Sequence, residues 1–393
     1  MEVLEIKHMV RSPIHLLTPE FPPSIGGIAS HSQTLADGLR EKGRHVFVWC
    51  PQYSEIEGDY AGDVRAIPGG FCSNSLLSVG RRIRDEGGIV LLQWVPHGFG
   101  LHSYNILFCL WLWQLSKRGV PVYILVHELF RRLSGGVKFF CSGIVHRIMT
   151  YTLLQSATKV WASSGAYCRH LLPYMPSRLS SVSLLPSFSS LEFKETPSEA
   201  YKLKLLLISK IGDTSDNIVG HFSTFNPMIC AKLEDLIIKL YASNKKLTFL
   251  LIGRGSKRFH QELKFKFPEL DCRCISTGLL QDKEISLHLQ TCDLLLQPCP
   301  SGVNARHTSV MSGLANGVPV ATYRSWRTEP FLNCNKSMIL ANDEDSENLC
   351  RKILALLKFP TKLSEIGRSG QKLYYKRCSK EVVVEHLVKD LVI

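Results

Sequence analysis

Residues 293–322 read DLLLQPCPSGVNARHTSVMSGLANGVPVAT. Asp293–Gln297 is an apolar run of strand length. The Pro- and Gly-punctuated loop Pro298–Ala305 follows it, then a small-residue helical stretch over about Arg306–Asn316. Gly317 ends that stretch, and Val318–Thr322 is a second apolar run. Strand, helix and strand in this order predict two parallel strands joined by a covering helix. Ligands of such sheets sit at the carboxyl ends of the strands, where loops lead into helix N-termini.

The alternation extends upstream from this segment. Asn217–Phe222 reads as a strand, Cys230–Ser243 as a helix, and Leu247–Ile252 as a strand running into Gly253-Arg254-Gly255. Cys274–Ser276 and Lys283–Thr291 add a short strand and a helix. An earlier series fills the first 170 residues. Its strands are Ile14–Leu17, His45–Cys50, Ile89–Trp94, Val120–Val126 and Lys159–Ser163; its helices are about Ile28–Lys42, Tyr104–Ser116 and Val137–Ser156. Residues 187–216, rich in Ser, Lys and Glu, break the pattern. The expected class is therefore α/β, with two Rossmann-like doubly wound parallel-sheet domains facing a cleft. The expected domains are residues 1–190 and 217–370, with a linker at 191–216.

The 393 residues suit two domains, and 45% hydrophobic with 21% charged residues is ordinary globular usage. The opening MEVLEIKHMVRSP has no apolar stretch of the kind a secretory signal needs. The longest strongly apolar run, Ile106–Trp113, falls short of the roughly 20 residues of a membrane span and reads as a buried helix. The thirteen cysteines have no zinc-like spacing; reduced thiols in a cytoplasmic protein, without a bound metal, are expected. The net charge of +13 is uneven. Residues 65–191 hold thirteen Lys and Arg against only Asp85, Glu86 and Glu128. Such a bias suits a polyanionic partner, though it also serves solubility.

Three loops are candidates for holding phosphate. Gly26-Gly27 precedes a helix, so backbone amides can approach a ligand there; a tight strand-to-helix turn explains the pair equally well. Gly253-Arg254-Gly255 fits neither a dinucleotide fingerprint nor a Walker loop, which leaves a Gly-lined loop over part of a nucleotide or a plain strand-end turn. Residues 298–309 carry the strongest signal. A helix N-terminus with Arg306, His307, Thr308 and Ser309 supplies positive charge and donors for a diphosphate, whereas a capped helix with solvated charges is the alternative.

Residues 18–51, TPEFPPSIGGIASHSQTLADGLREKGRHVFVWCP, resemble the opening of family 4 glycosyltransferases of the GT-B fold. QWVPHGFG at 93–100, VHEL at 126–129, LIGRGS at 251–256 and LANGVPVAT at 314–322 extend the resemblance. It implies that the C-terminal domain binds a nucleotide-sugar donor, that the N-terminal domain binds a glycan or lipid-linked acceptor, and that residues 371–393 return to the first domain. It further implies transfer with retention, without a cofactor or metal. By the same resemblance His127 contacts the donor sugar. Glu128 would polarise an acceptor hydroxyl or fix the His127 tautomer. His97 and His31 are weaker candidates. Donor contacts are expected from Gly26, Gly27, Gly253, Gly255, Asn304, Arg306, Thr308, Ser309 and Ser312, and Arg306 offsets the leaving diphosphate. The family's paired glutamates fall at Asn304 and Ser312, and Ser301 stands where a subgroup has Asp. That departure motivates a second reading, a non-catalytic GT-B protein that binds a sugar nucleotide or supports a partner enzyme. A nucleotide-sugar epimerase is a third.

The basic middle of the chain then suits an anionic membrane surface. Arg81, Arg82, Arg84, Lys117, Arg118, Arg131, Arg132, Lys138 and Arg147 lie in or beside helical segments, and Val137–Ser156 also carries Phe139, Phe140, Ile144, Ile148 and Met149. Peripheral attachment to the inner face of a membrane is expected on that basis. Nucleic acid is not an expected partner, because no RNP, KH, zinc-finger or helix-turn-helix pattern is present.

Overall fold

The computed structural model describes residues 12–24, 26–52, 63–99, 104–131, 133, 135–191, 194–211, 217–342 and 345–391. The chain forms two compact units: Met1–Leu185 with Val383–Ile393, and Pro186–Val382.

The first unit runs β1 (Ile14–Leu17), α1 (Gly27–Glu41), β2 (Val46–Pro51), β3 (Val64–Ile67), α2 (Ser73–Glu86), β4 (Ile89–Trp94), α3 (Ile106–Lys117), β5 (Val122–Val126), α4 (Val137–Ser156), β6 (Lys159–Ala162), α5 (Gly165–Leu171) and β7 (Ser183–Leu184). Its seven strands lie in the order β3-β2-β1-β4-β5-β6-β7, all parallel. β1 sits between β2 and β4, so Leu16 pairs with Val48 on one side and Leu91 on the other. β4 and β5 are buried at every position. That is why IVLLQW and VYILV read as unbroken apolar runs: helices cover both faces of the sheet. Under α2 and α3 the Trp94, Phe99 and Phe108 rings stack, with Phe99 and Phe108 centroids 4.5 Å apart. Such pairs add about 0.5–1.5 kcal/mol each beyond the area they bury.

The second unit runs α6 (Pro197–Ser209), β8 (Asn217–Phe222), α7 (Pro227–Ser243), β9 (Leu247–Ile252), α8 (Ser256–Lys266), β10 (Cys274–Ser276), α9 (Asp282–Gln290), β11 (Leu294–Gln297), α10 (Thr308–Ala315), β12 (Val320–Arg324), β13 (Ile339–Asn342), α11 (Ser346–Leu357) and α12 (Pro360–Arg377). Its six parallel strands lie in the order β10-β9-β8-β11-β12-β13. α10 lies tight on the sheet: a Cβ on Gly313 would come within 2.6 Å of Leu295 Cδ2 and 2.9 Å of Val320 Cγ2. The small residues of SGLANG are what this packing requires. α13 (Lys380–Asp390) carries the chain back into the first unit, where Asp390 pairs with Lys159 at 2.6 Å and accepts from Trp161 Nε1 at 3.1 Å.

Both sheets are therefore doubly wound, with their strand order reversing between β1 and β4 and between β8 and β11. Three expectations need correction. Residues 191–216 are not a linker between the units: within them α6 belongs to the second unit, tied there by the Lys204–Asp293 ion pair at 2.6 Å. Polar tertiary partners of this kind leave no hydrophobic period to read. The returning segment also begins near Val383 rather than at 371, because α12 stays with the second unit. Finally, Ile106–Trp113 is buried on one face only. Phe108, Cys109 and Leu112 enter the core, while Leu107, Leu110 and Trp113 face solvent.

Candidate functional site

At the first switch point, polar side chains gather beyond the carboxyl ends of β1, β4 and β5. His127 follows β5, and its amide donates to Trp94 O at 3.0 Å, which fixes where its side chain starts. Its Nε2 lies 2.6 Å from Gln93 Oε1 in β4. A carbonyl oxygen only accepts, so His127 carries its proton on Nε2 and presents Nδ1 as an acceptor. Gln93 also bonds His31, whose ring meets His127 edge-on with centroids 4.8 Å apart. Burial, reinforced by the neighbouring His31, holds the His127 pKa well below 6.5; burial brings His31 down to about 4. Both rings are neutral at physiological pH. They can accept or donate hydrogen bonds to sugar hydroxyls but bring no positive charge.

Glu20 joins this group from the β1–α1 loop, held by Thr18, whose hydroxyl donates to Glu20 O at 2.8 Å and meets Ser32 Oγ at 2.8 Å. The Glu20 carboxyl lies against Gly26, where a Cβ would need that flexible side chain to swing aside. Gly27 has open space around it. Burial and then the charge of Glu128 raise the Glu20 pKa above the usual carboxylate value. The structure brings His127, Glu128, Gly26 and His31 to one edge. His97 is exposed beside them, its ring 5.1 Å from that of His146.

At the second switch point Gln297 ends β11, and its Nε2 donates to Phe222 O at 3.0 Å, tying the ends of β11 and β8 together. The loop then turns through Ser301 and Gly302, both at positive φ (62° and 86°), and a Cβ on Gly302 would meet Ser325 N at 2.6 Å. Asn304 is buried; its Oδ1 accepts from Arg306 N at 3.3 Å, closing an Asx turn that sets Arg306 outward. Arg306 and Thr308 are exposed and Ser309 is half-buried, all at the α10 N-terminus. First-turn amides have no partner within their helix, and the terminus carries partial positive charge, so this corner is suited to an anion.

His307 does not add a cation to this corner. Its Nδ1 accepts from Asn304 N at 3.0 Å, and burial together with the Arg306 charge lowers its pKa to about 3. Ser312 is buried and occupied: its hydroxyl donates to Thr308 O at 3.0 Å and meets Ser189 Oγ at 2.9 Å. Gly253 and Gly255 serve the turn after β8. At φ +123° a Cβ on Gly253 would run into Ser223 O, and one on Gly255 would lie 2.7 Å from Thr224 O. The Gly253 amide already donates to Thr277 Oγ1 at 3.3 Å. Close approach of two protein segments accounts for both glycines.

Three residues went unnoticed as single positions in the sequence: Glu20, Gln93 and Glu329. Gln93 is a polar side chain near the end of an apolar strand, a signal that could have been read. Glu329 could not have been found that way. It is buried in the loop after β12, and its Oε2 accepts from Ala305 N at 2.8 Å, bracing the turn that presents Arg306. Among the described residues no group of three or more His, Cys, Asp or Glu is placed to hold a metal ion. A cavity of about 380 Å³ opens at the opposite end of the second sheet, beside Asp293 and Pro319, lined by Lys204, Gln290, Asn316 and Arg368; it is not part of this corner.

No protein-family model matches the sequence, and no curated protein matches it either. Solved structures do. The chain is similar to Anabaena HepE in complex with UDP and glucose, with a TM-score of 0.72 and 17% identity over 97% of this chain and 99% of that one. It is similar to sucrose-phosphate synthase from Thermosynechococcus elongatus at a TM-score of 0.72 and 15% identity, covering 96% and 98%. It is also similar to WaaG, a glycosyltransferase involved in lipopolysaccharide biosynthesis, at 0.68 and 12%, covering 96% and 99%. With two doubly wound parallel sheets on the page, these near-complete alignments define the fold as GT-B.

Proposed function

We propose that the protein is a glycosyltransferase of the family 4 kind that moves a hexosyl group from a nucleotide-diphosphate sugar to a hydroxyl of a glycan or lipid-linked saccharide, with retention. The observation that carries this reading is the α10 corner, where an Asx turn braced by Glu329 holds Arg306 outward at a helix N-terminus. In the reaction the bond between the anomeric carbon and the β-phosphate oxygen breaks, and its electron pair leaves with the diphosphate. The acceptor oxygen forms the new bond on the same face, and its proton passes to the departing phosphate oxygen. Arg306 and the first-turn amides offset the charge that develops there, without a metal. Neutral His127, held by Gln93, accepts from a donor-sugar hydroxyl. Glu20 and Glu128 receive the acceptor hydroxyl. HepE is seen with UDP and with UDP-glucose, which supports uracil as the first base to test. The thirteen cysteines, none of them in a disulfide, support a reducing, cytoplasmic compartment. No described helix is long and apolar enough to cross a membrane.

Thermal shift against UDP, GDP, ADP and CMP tests the donor half. A nucleotide at 100 times its Kd stabilises the folded state by about 2.7 kcal/mol, so the matching base stands out. Product analysis with a panel of nucleotide sugars then tests transfer. The engagement of Asn304 and Ser312 within the protein favours a second reading, a GT-B protein that binds the nucleotide but does not turn it over. Nucleotide stabilisation with no transfer across the panel would select it. An epimer of the donor among the products would indicate epimerase chemistry instead.

A further inference from the structure

α4 buries Ser142, His146, Met149, Leu153 and Leu154 against the first sheet, as an amphipathic helix should. Its opposite face is apolar too. Val137, Phe140, Ile144, Ile148 and Tyr151 recur at spacings of three and four, which places them on one stripe, and they are 40–81% exposed. The stripe covers residues 137–151 of this 20-residue helix and so runs about 21 Å. α3 packs beside α4 and repeats the arrangement with Leu107, Leu110 and Trp113, 37–55% exposed. An apolar face of this extent on the solvent side is not solubility. Neither helix contains an Asp or Glu. Cations surround the stripes: Lys117 lies over the Trp113 ring at 5.7 Å, Arg131 over the Phe139 ring at 5.9 Å, and Lys138 and Arg118 are exposed.

We infer that the α3–α4 face is a docking surface for an anionic lipid bilayer, with the two stripes entering the headgroup region and the cations meeting lipid phosphates. Charge decides the occupant. A second copy of this face would bring like charges together, whereas an anionic bilayer supplies both the apolar depth and the opposite sign. Met149, counted with the surface residues in the sequence, is fully buried, and Arg132 lies outside the described residues. The surface does not rest on the transfer reaction and is tested without any sugar nucleotide.

The experiment is co-sedimentation of the full chain with phosphatidylglycerol–phosphatidylcholine vesicles and with phosphatidylcholine vesicles alone. The wild type should partition onto the anionic vesicles, and added salt should weaken but not abolish that partition, because part of it is apolar. Ile144→Asp/Ile148→Asp should lower partition at least about tenfold, since two carboxylates would enter the headgroup region. Both positions face solvent, so the variant's melting temperature should match the wild type's; Lys138→Glu/Arg131→Glu, on the same surface, is the second variant. Failure of the wild type to bind anionic vesicles overturns the inference. So does unchanged partition in both variants, or a concentration-dependent dimer that Ile144→Asp/Ile148→Asp dissolves. A nucleotide thermal shift run on the same preparations separates loss of this surface from loss of the donor site.

Discussion

Replacing Arg306 by Ala removes a side-chain cation from the α10 corner. The turn should survive the change. Its Asx bond uses the Arg306 backbone amide, and Ala305 N remains on Glu329. Arg306 is exposed, so the folding stability should move by no more than about 0.5 kcal/mol. Activity should respond far more. A guanidinium and a phosphate charge about 4 Å apart, at an effective dielectric near 20, attract by roughly 4 kcal/mol. Water screens an exposed group, so about 2–3 kcal/mol is the expected share in the transition state, or roughly a 30- to 150-fold loss in kcat/KM. Arg306→Lys should recover part of it, because an ammonium is a point charge without the bidentate fork. The assay is steady-state release of nucleoside diphosphate, with melting temperatures measured in parallel. Turnover within threefold of wild type in a folded Arg306→Ala protein would refute the assignment of the leaving diphosphate to this corner.

Gln93→Leu should keep the fold but release His127, raising KM for the donor more than it lowers kcat, with kcat/KM down roughly tenfold for one lost hydrogen bond; equal loss in kcat alone would argue against a donor contact. Gln93→Glu should place a carboxylate 2.6 Å from Nε2 and move the acid limb of the pH–rate profile to higher pH, and a profile unchanged from wild type would count against His127. His31, His221 and His307 are held neutral by burial, with pKa values lowered to about 4, 4 and 3. The unfolded chain takes up these protons near pH 6.5 and the native protein does not, so stability is complete above 6.5 and falls as pH drops through 6.5 toward 4. Each histidine forfeits about 1.4 kcal/mol per pH unit in that window, and urea midpoints at pH 7.5 and 5.5 should show it. Gly253→Ala forces a side chain into Ser223 O at left-handed φ and should cost about 3 kcal/mol or more in urea unfolding; a loss under 1 kcal/mol would mean the turn after β8 is not held as described.

Much of the architecture is legible in local pattern. Strands such as Ile89–Trp94 and Leu247–Ile252 are buried on both faces, so their apolar runs mark their ends residue by residue. α6 and β3 lean on partners elsewhere in the chain, Lys204 of α6 on Asp293 and Arg65 of β3 on Glu86 at 2.6 Å, whereas α2 carries a readable stripe of buried Leu76, Val79 and Ile83 that was passed over. At the candidate site the residue types were readable and their duties were not. Gly253 and Gly255 looked like room for a ligand and are room for the 223–225 turn. Asn304 and Ser312 looked like donor contacts, and their side chains bond within the protein.

The +13 charge and the two strand–helix series belong to the sequence by itself, since composition and periodicity are local properties. The strand order that sets Gln93 beside His127 and Glu329 beneath Ala305 is decided by tertiary structure alone, because those partners lie 34 and 24 residues apart. The same holds for the outer face of α4. Its sequence shows a helix apolar all round, which ordinarily means burial on every side; only packing against the sheet reveals which stripe is core and which faces solvent.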